Sequence, residues 1–422
     1  MCYNSDYNLA DLGGAFRFHK NIVRRVDFMQ SVQDIKLQNT FKIVDAIRFN
    51  DGLTKKEIAS DTGLSFATVS NICRELREKN LILETQVDRP NLSVGRSPHT
   101  VSLNYNEFFG VCIDVHKEGR IVLALTNLRN EIVIKKEICL ETYDRLSDVV
   151  DVCYSVCMQI CEEIGISKKN LLELCVAVPA VFDNNIGLVV GSSIALFDKQ
   201  PLKSLLEDAF DLPVLVQNDS TVSSMAVTLN SAPHTKNAKN LIYIFCSIGL
   251  GVGVIAEGKQ LTGCDGYAAE ACHIPIGVSK LLCVKCGNES CVESDLSVFG
   301  FITKYLDYAP WDQKKVYDYW KEFLAAVESE DPKALAVVNE NAEILGKLTS
   351  ILVNLFDPEV IYVGGSISAL FDRMKLVIET EVVRRLNGRS ENRALLLRDS
   401  DEDTIIYGCA ETIYNKINFA LL

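Results

Sequence analysis

The reading of this chain turns on the stretch Glu270-Ala271-Cys272-His273-Ile274-Pro275-Ile276-Gly277-Val278-Ser279-Lys280-Leu281-Leu282-Cys283-Val284-Lys285-Cys286-Gly287-Asn288-Glu289-Ser290-Cys291-Val292-Glu293. His273, Cys283, Cys286 and Cys291 follow one another as H-x9-C-x2-C-x4-C. An imidazole and three thiolates within nineteen residues, with Gly287 allowing a tight turn, suit a tetrahedral zinc ion with no open position. Four protein ligands predict a structural metal, not a catalytic one. Lys285, Asn288, Glu289 and Ser290 make the surroundings polar, where unligated thiols would be exposed to oxidation.

Outside this stretch the cysteines behave differently. Of fifteen in all, Cys112, Cys139, Cys175 and Cys246 sit singly in apolar runs, as reduced thiols acting as small hydrophobes, so a disulfide framework is not expected. Cys153, Cys157 and Cys161 fall along a helix with the stripe Val149, Cys153, Val156, Cys157, Ile160, Ile164; one helix presents ligands in a line, and core packing is the reading.

On both sides of the cysteine stretch the texture is α/β. Phe108 to Leu125 reads as strand, turn, strand with Asp114 at the first strand's end, and Leu241 to Ile255 repeats the design around Ser247-Ile248-Gly249-Leu250-Gly251-Val252-Gly253. Two similar hairpins predict an internal duplication. Ile344, Leu345, Leu348, Leu352 and Leu355 mark a buried helix running into Asp357-Pro358, a strand over Val360 to Val363, and Gly364-Gly365, where a ligand approaches backbone at a strand's carboxyl end.

Residues 37–103 read as three short helices and a hairpin. Thr54 with Glu57 three residues on is a helix start; Ile58 and Ala59 face inward, Gly63 turns the chain, and Leu64, Val69, Ile72, Cys73 and Leu76 form the buried side of a second helix. This is a helix-turn-helix pattern. The outer face of the second helix carries Ser65, Ala67, Thr68, Ser70, Asn71 and Arg74, suited to base edges and phosphates. Strand candidates at Leu81 to Glu84 and Thr100 to Leu103 flank a loop with Arg89, Pro90, Gly95, Arg96 and Pro98, a wing whose Arg96 suits a minor groove.

Charge supports the division. The net charge of −13 argues globally against nucleic acid, but residues 1–100 carry fourteen basic against twelve acidic residues, and the excess acid lies beyond them. Of 422 residues, 48% are hydrophobic and 23% charged, the mix of a soluble multi-domain protein. No apolar run reaches membrane-spanning length and no secretory leader is legible, so a cytoplasmic location is expected.

Taken together these motifs resemble the ROK family of bacterial sugar kinases and sugar-responsive repressors. Glu270 to His273 with Cys286 to Glu293 carries most of the likeness; Gly95-Arg96-Ser97-Pro98, Val178-Pro179, Asn218-Asp219, Gly249-Leu250-Gly251 and Asn354 to Pro358 through Gly364-Gly365 extend it over nearly all the chain from Leu37. The resemblance implies an actin-like, ribonuclease H-like pair of α/β lobes of the sugar-kinase type, with the winged helix-turn-helix that the family's repressors add. It implies sugar contacts at Asn218, Asp219, Glu270, His273 and Glu293, and at Ser193, where the family carries asparagine. Phe197 stands where a tryptophan is common, and the family's first zinc cysteine falls at Val284, one residue after Cys283.

Other departures concern phosphate. The family's kinases have a glycine-rich turn after the first-strand aspartate, but here Asp114-Val115 runs into His116-Lys117-Glu118; a family threonine is Ile248, which has no hydroxyl to donate. The expectation is therefore a binding protein and not an enzyme: a repressor whose dimer or higher homo-oligomer holds operator DNA and releases it when a sugar or sugar phosphate enters the cleft. A sugar kinase that kept a DNA-binding head, with Asp219 as general base, is the alternative, and an activator would use the same head. The division expected is residues 1–37 as an extension, 38–104 as the head, 105–220 with 405–422 as the first lobe, and 221–404 as the second.

Overall fold

A computed structural model of the chain describes residues 32–86, 99–115, 119–192, 194–229, 238–279, 281–283, 285–386, 394–417 and 419. His116, Ser193 and the wing loop with Arg96 lie outside them.

The head is built by local signals. Helix α1 (Val32–Arg48) is followed by β1 (Leu53–Thr54), α2 (Lys55–Thr62), α3 (Phe66–Glu78), β2 (Ile82–Gln86) and β3 (His99–Leu103), with β3 between β1 and β2 in an antiparallel sheet. Thr54 caps α2 by accepting the Glu57 amide at 3.3 Å, while Glu57 accepts the Thr54 amide at 2.7 Å, the reciprocal box the spacing predicts. Gly63 ends α2 with φ 68°, a left-handed conformation that glycine adopts at no steric cost. Ser65 then caps α3 through the Thr68 amide at 3.1 Å. Val69, Ile72, Cys73 and Leu76 turn inward onto Ile43, Val44, Ile47 and Ile58, as the helical period requires. Helix α1 begins at Val32, so it runs through the 37/38 boundary expected from sequence.

The first lobe opens with a meander, β4 (Phe109–Asp114), β5 (Arg120–Asn127) and β6 (Ile132–Cys139), then adds α4 (Leu146–Glu163), β7 (Leu171–Val178), a small hairpin of β8 (Val181–Asp183) and β9 (Leu188–Val190), α5 (Leu202–Phe210) and β10 (Val214–Asn218). Its sheet order is β10-β7-β4-β5-β6. After α6 (Asp219–Ala226), the second lobe repeats the plan with β11 (Leu241–Cys246), β12 (Leu250–Ala256), β13 (Lys259–Gln260), α7 (Val292–Leu296), α8 (Val298–Tyr305), α9 (Val316–Glu328), α10 (Pro332–Phe356), β14 (Val360–Gly364), α11 (Phe371–Arg385) and β15 (Leu395–Arg398). Its order is β13-β12-β11-β14-β15. In both sheets the first three strands are antiparallel and the last two run parallel to the first, which is the expected duplication.

Two helices fill the space between the sheets: α6 and the last helix, α12 (Thr404–Lys416). They cross backbone to backbone, because a β-carbon on Gly408 would overlap the carbonyl of Val222. The outer faces carry α4 and α5 on one lobe and α7 to α11 on the other. The head is seated on α12. Arg48, 1% exposed, places Nη1 2.8 Å from Glu411 Oε2, donates from Nε to the Leu128 carbonyl at 2.8 Å, and lies 3.5 Å above the Tyr414 ring. Beside it, Arg129 donates to the Arg48 carbonyl and pairs with Asp51. Burial pushes the Glu411 carboxyl upward and Arg48 works against that shift. Among the described residues, no helix is long and apolar enough to cross a membrane.

Candidate functional site

In the cysteine loop, Gly287 turns with φ 71° and the Cys283 and Gly287 backbones close the loop, the Cys283 amide on the Asn288 carbonyl at 2.9 Å and the Gly287 amide on the Cys283 carbonyl at 2.8 Å. The closure brings His273, Cys283, Cys286 and Cys291 together, with all four ligand atoms within 4.8 Å of one another. Cys286 and Cys291 sulfurs lie 3.4 Å apart, and His273 Nδ1 lies 3.6 Å from Cys283 Sγ. Metal–sulfur bonds of about 2.3 Å and metal–nitrogen bonds of about 2.0 Å in a tetrahedron require edges of roughly 3.5–3.8 Å, so the donors present fit a metal of that kind. Burial pushes the Cys291 thiol up to about 12, whereas a bound divalent cation would hold the same sulfur deprotonated. Asp295, fully buried, ties the loop to the lobe by accepting the Val278 and Ser279 amides and pairing with Lys304 at 2.6 Å.

The hydroxyl-binding residues named from the resemblance divide into those the fold gathers and those it does not. Asn218 ends β10 and caps α6, accepting the Ser220 amide at 2.9 Å and donating to the Ala180 carbonyl at 3.0 Å. Its neighbour Asp219 is buried at the first turn of α6. Both line a small cavity of about 20 Å³ with Pro179, Phe245, Gly249, Leu250, Gly251 and Lys285. The wall is thin because β12 lies directly on α6: a β-carbon on Gly253 would overlap the Ser220 carbonyl. Glu293 is also buried; its Oε1 accepts the Leu250 amide at 3.2 Å and the Lys285 ammonium at 3.0 Å, and its Oε2 faces the Cys283 thiol at 3.6 Å. Glu270 is exposed and keeps to the metal group, accepting the Cys272 thiol at 3.4 Å near His273.

Lys285 is the residue that sequence reading missed. Sequence marks it only as a polar neighbour of the cysteines, yet from an exposed position the loop carries its ammonium to Glu293, and it lines the same small cavity as Asp219. Burial works to lower its pKa, but Glu293 beside it and Asp219 farther off outweigh this and hold it raised.

The phosphate side of the cleft is lined differently. Ile248, in the β11–β12 turn, faces Tyr143, Pro179, Ile194, Leu196, Phe299 and Tyr317 across an apolar cavity of about 340 Å³. Ser247 beside it is buried and spends its hydroxyl on Ser366, 2.7 Å away. Next to this lies a second cavity of about 430 Å³ holding Asp114, Glu137, Asp399, Asp401 and Glu402, in which the arginine, Arg120, pairs with Glu137 at 2.6 Å. Among the described residues, the carboxylates of this lining outnumber its cations, a setting unfavourable to a polyphosphate.

On the head, Ser65, Ala67, Asn71 and Arg74 are exposed on α3 and Thr68 and Ser70 are half-buried, with Arg74 donating to Asn71 at 3.4 Å. Ser65 is partly committed to its cap. Phe66, 53% exposed at the first helical position, belongs to the same surface and was not singled out from sequence; its exposure on a helix start preceded by a cap is the signal.

With the geometry in place, comparison with known proteins gives a consistent picture. The xylose repressor of Caldicellulosiruptor bescii is 23% identical over 397 residues, covering 91% of this chain and 98% of that protein. The glucokinase of Halalkalibacterium halodurans is 29% identical over 221 residues, 49% of this chain and 65% of that enzyme. A solved ROK family transcriptional regulator, described as a homolog of the E. coli MLC protein, superposes with a TM-score of 0.76 at 23% identity over 92% of this chain and 98% of its own, which shows the fold. The winged helix-turn-helix DNA-binding family matches residues 37–82. Since the ROK profile itself matches residues 111–413, which span the two lobes and the cysteine loop of the second, this chain belongs to the ROK family.

Proposed function

We propose that this protein is a sugar-responsive transcriptional repressor without kinase activity. One observation carries the reading: the chain that holds a helix-turn-helix on α12 also has a cleft furnished for hydroxyls at Asn218, Asp219 and Glu293, and furnished with apolar residues and carboxylates where ATP phosphates would lie. Asp219 then serves as an acceptor for a sugar hydroxyl, and deprotonating that hydroxyl leads nowhere without a phosphoryl donor. His273, Cys283, Cys286 and Cys291 hold a structural zinc ion, which fixes the loop carrying Lys285 and the start of α7 carrying Glu293. Glu270, His273 Nε2 and Ser193 complete the sugar contacts. Two heads of a dimer read an inverted repeat, with Ser65, Ala67, Thr68, Ser70, Asn71 and Arg74 in the major groove and Arg96 in a minor groove.

The sugar alters operator affinity only by favouring one lobe arrangement, by no more than its differential affinity for the two. Xylose and glucose are the first sugars to test, because relatives are named for them. The test is a gel shift of the full chain on an inverted repeat selected from random DNA, with and without the sugar that raises its melting temperature. Asp219→Ala is expected to keep operator affinity and lose the sugar response, a coupling of roughly 1–3 kcal/mol. A variant that still responds like the parent would overturn the cleft assignment.

A further inference from the structure

The apolar cavity around Ile248 has no part in the functions described so far, although it is much the roomier neighbour of the hydroxyl-binding groups: about 340 Å³ against about 20 Å³. The larger falls within the roughly 300–1,000 Å³ of ordinary ligand pockets. The two are neighbours. Pro179 lines both, and Ile248 of one adjoins Gly249 of the other in the β11–β12 turn. Its walls come from different lobes, Tyr143, Ile194 and Leu196 from the first and Ile248, Phe299 and Tyr317 from the second, so an occupant would touch both.

We propose that this cavity is a subsite for a flat apolar group attached to the sugar, so that the effector is a glycoside with an aryl aglycone and not a free monosaccharide. The inference rests on the sugar reading of Asn218, Asp219 and Glu293. Three aromatic rings supply stacking faces, and among the described lining residues the side-chain polar atoms are the hydroxyls of Tyr143 and Tyr317. A phosphate or a second sugar ring placed there would bury several acceptors and hydroxyls against two phenols, leaving most without partners; an aromatic ring carries no such demand. Ile248 in the turn is what makes that wall apolar, so the residue that removes a phosphate contact also creates the aglycone contact.

The test uses the full chain in calorimetric titrations with three forms of the sugar that shifts its melting temperature: free, as methyl glycoside, and as 4-nitrophenyl glycoside. The aryl glycoside is expected to bind at least tenfold more tightly than the methyl glycoside. Ile248→Asn, on the turn, and Tyr317→Ser, on α9, are each expected to bring that ratio close to one while leaving methyl glycoside affinity within about twofold; two variants on separate elements keep the test valid if one misfolds. A ratio near one in the parent chain, or a ratio that survives both substitutions, overturns the aglycone subsite and leaves the sugar site standing. Absence of binding by every form overturns both.

Discussion

The two ends of the cleft offer a ligand opposite chemistry. At the proposed sugar end, half-buried Asn218 and buried Asp219 at the start of α6 and buried Glu293 at the start of α7 present acceptors, each held by a backbone amide or a neighbouring side chain. At the phosphate end, Ile248 meets Phe299 and Tyr317, and the cavity beyond is ringed by acidic residues. Binding and catalysis in this fold are therefore separable by position. On the proposed reading, a few side chains at one end would suffice to remove phosphoryl transfer while leaving the candidate hydroxyl-binding groups in place.

The largest effect expected from testing this contrast concerns the sugar end. Cys291→Ser should reduce metal content from about one zinc per chain to nearly none, and abolish the sugar-induced rise in melting temperature, because the loop presenting Lys285 and Glu293 loses its anchor. Metal analysis on freshly purified reduced protein checks the first part. At the phosphate end, turnover with xylose or glucose and ATP should stay below about 0.01 per second, against roughly 1–100 per second for kinases. A coupled assay reaching the kinase range would erase the contrast.

A third measurement asks what the phosphate end does instead. Thr404 and Ile405 of α12 line that cavity, and Glu411 and Tyr414 of the same helix grip Arg48 of the head. Arg48→Met should cost about 3–5 kcal/mol by leaving Glu411 buried without its cation. The pH dependence has a definite sign. A carboxyl raised above its ordinary value in the folded protein is most favourable at low pH, and the stability is lost as pH rises through the folded value. Removing Arg48 raises that value further, so the deficit in melting temperature should narrow from about pH 8 to about pH 5, and Arg48→Met with Glu411→Met should recover most of it. A pH-independent deficit would place the effect in lost packing around Tyr414.

The smallest effect belongs to Lys285. A sugar hydroxyl must replace the ammonium at Glu293 Oε1, so Lys285→Met should tighten sugar binding about tenfold, some 1.4 kcal/mol. Weaker binding would mean that the lysine contacts the ligand.

What the sequence made legible was short-range. Thr54 with Glu57, Gly63 with Ser65, and the spacing of His273 and the cysteines each act within about twenty residues, so their pattern is written along the chain. The duplicated sheet followed from two hairpins that each pair locally before the parallel strands are added. Lys285 carried no such mark: whether a lysine in a ligand loop points outward or inward depends on where Glu293 and Asp219 arrive from other elements. The same holds for Tyr143, Phe299 and Tyr317, which come from three separate segments, and for Arg48 with Glu411, whose pairing depends on how the lobes close.

The seat of the head has a consequence for how the protein comes into being. Arg48 leaves the ribosome well before Glu411 and Tyr414, which belong to a helix that also completes the layer between the sheets. The head has its own helix caps, but its buried apolar residues share one cluster with α12, so its packing is completed only when that helix arrives. The orientation of the helix-turn-helix relative to the lobes is therefore acquired only once α12 is in place.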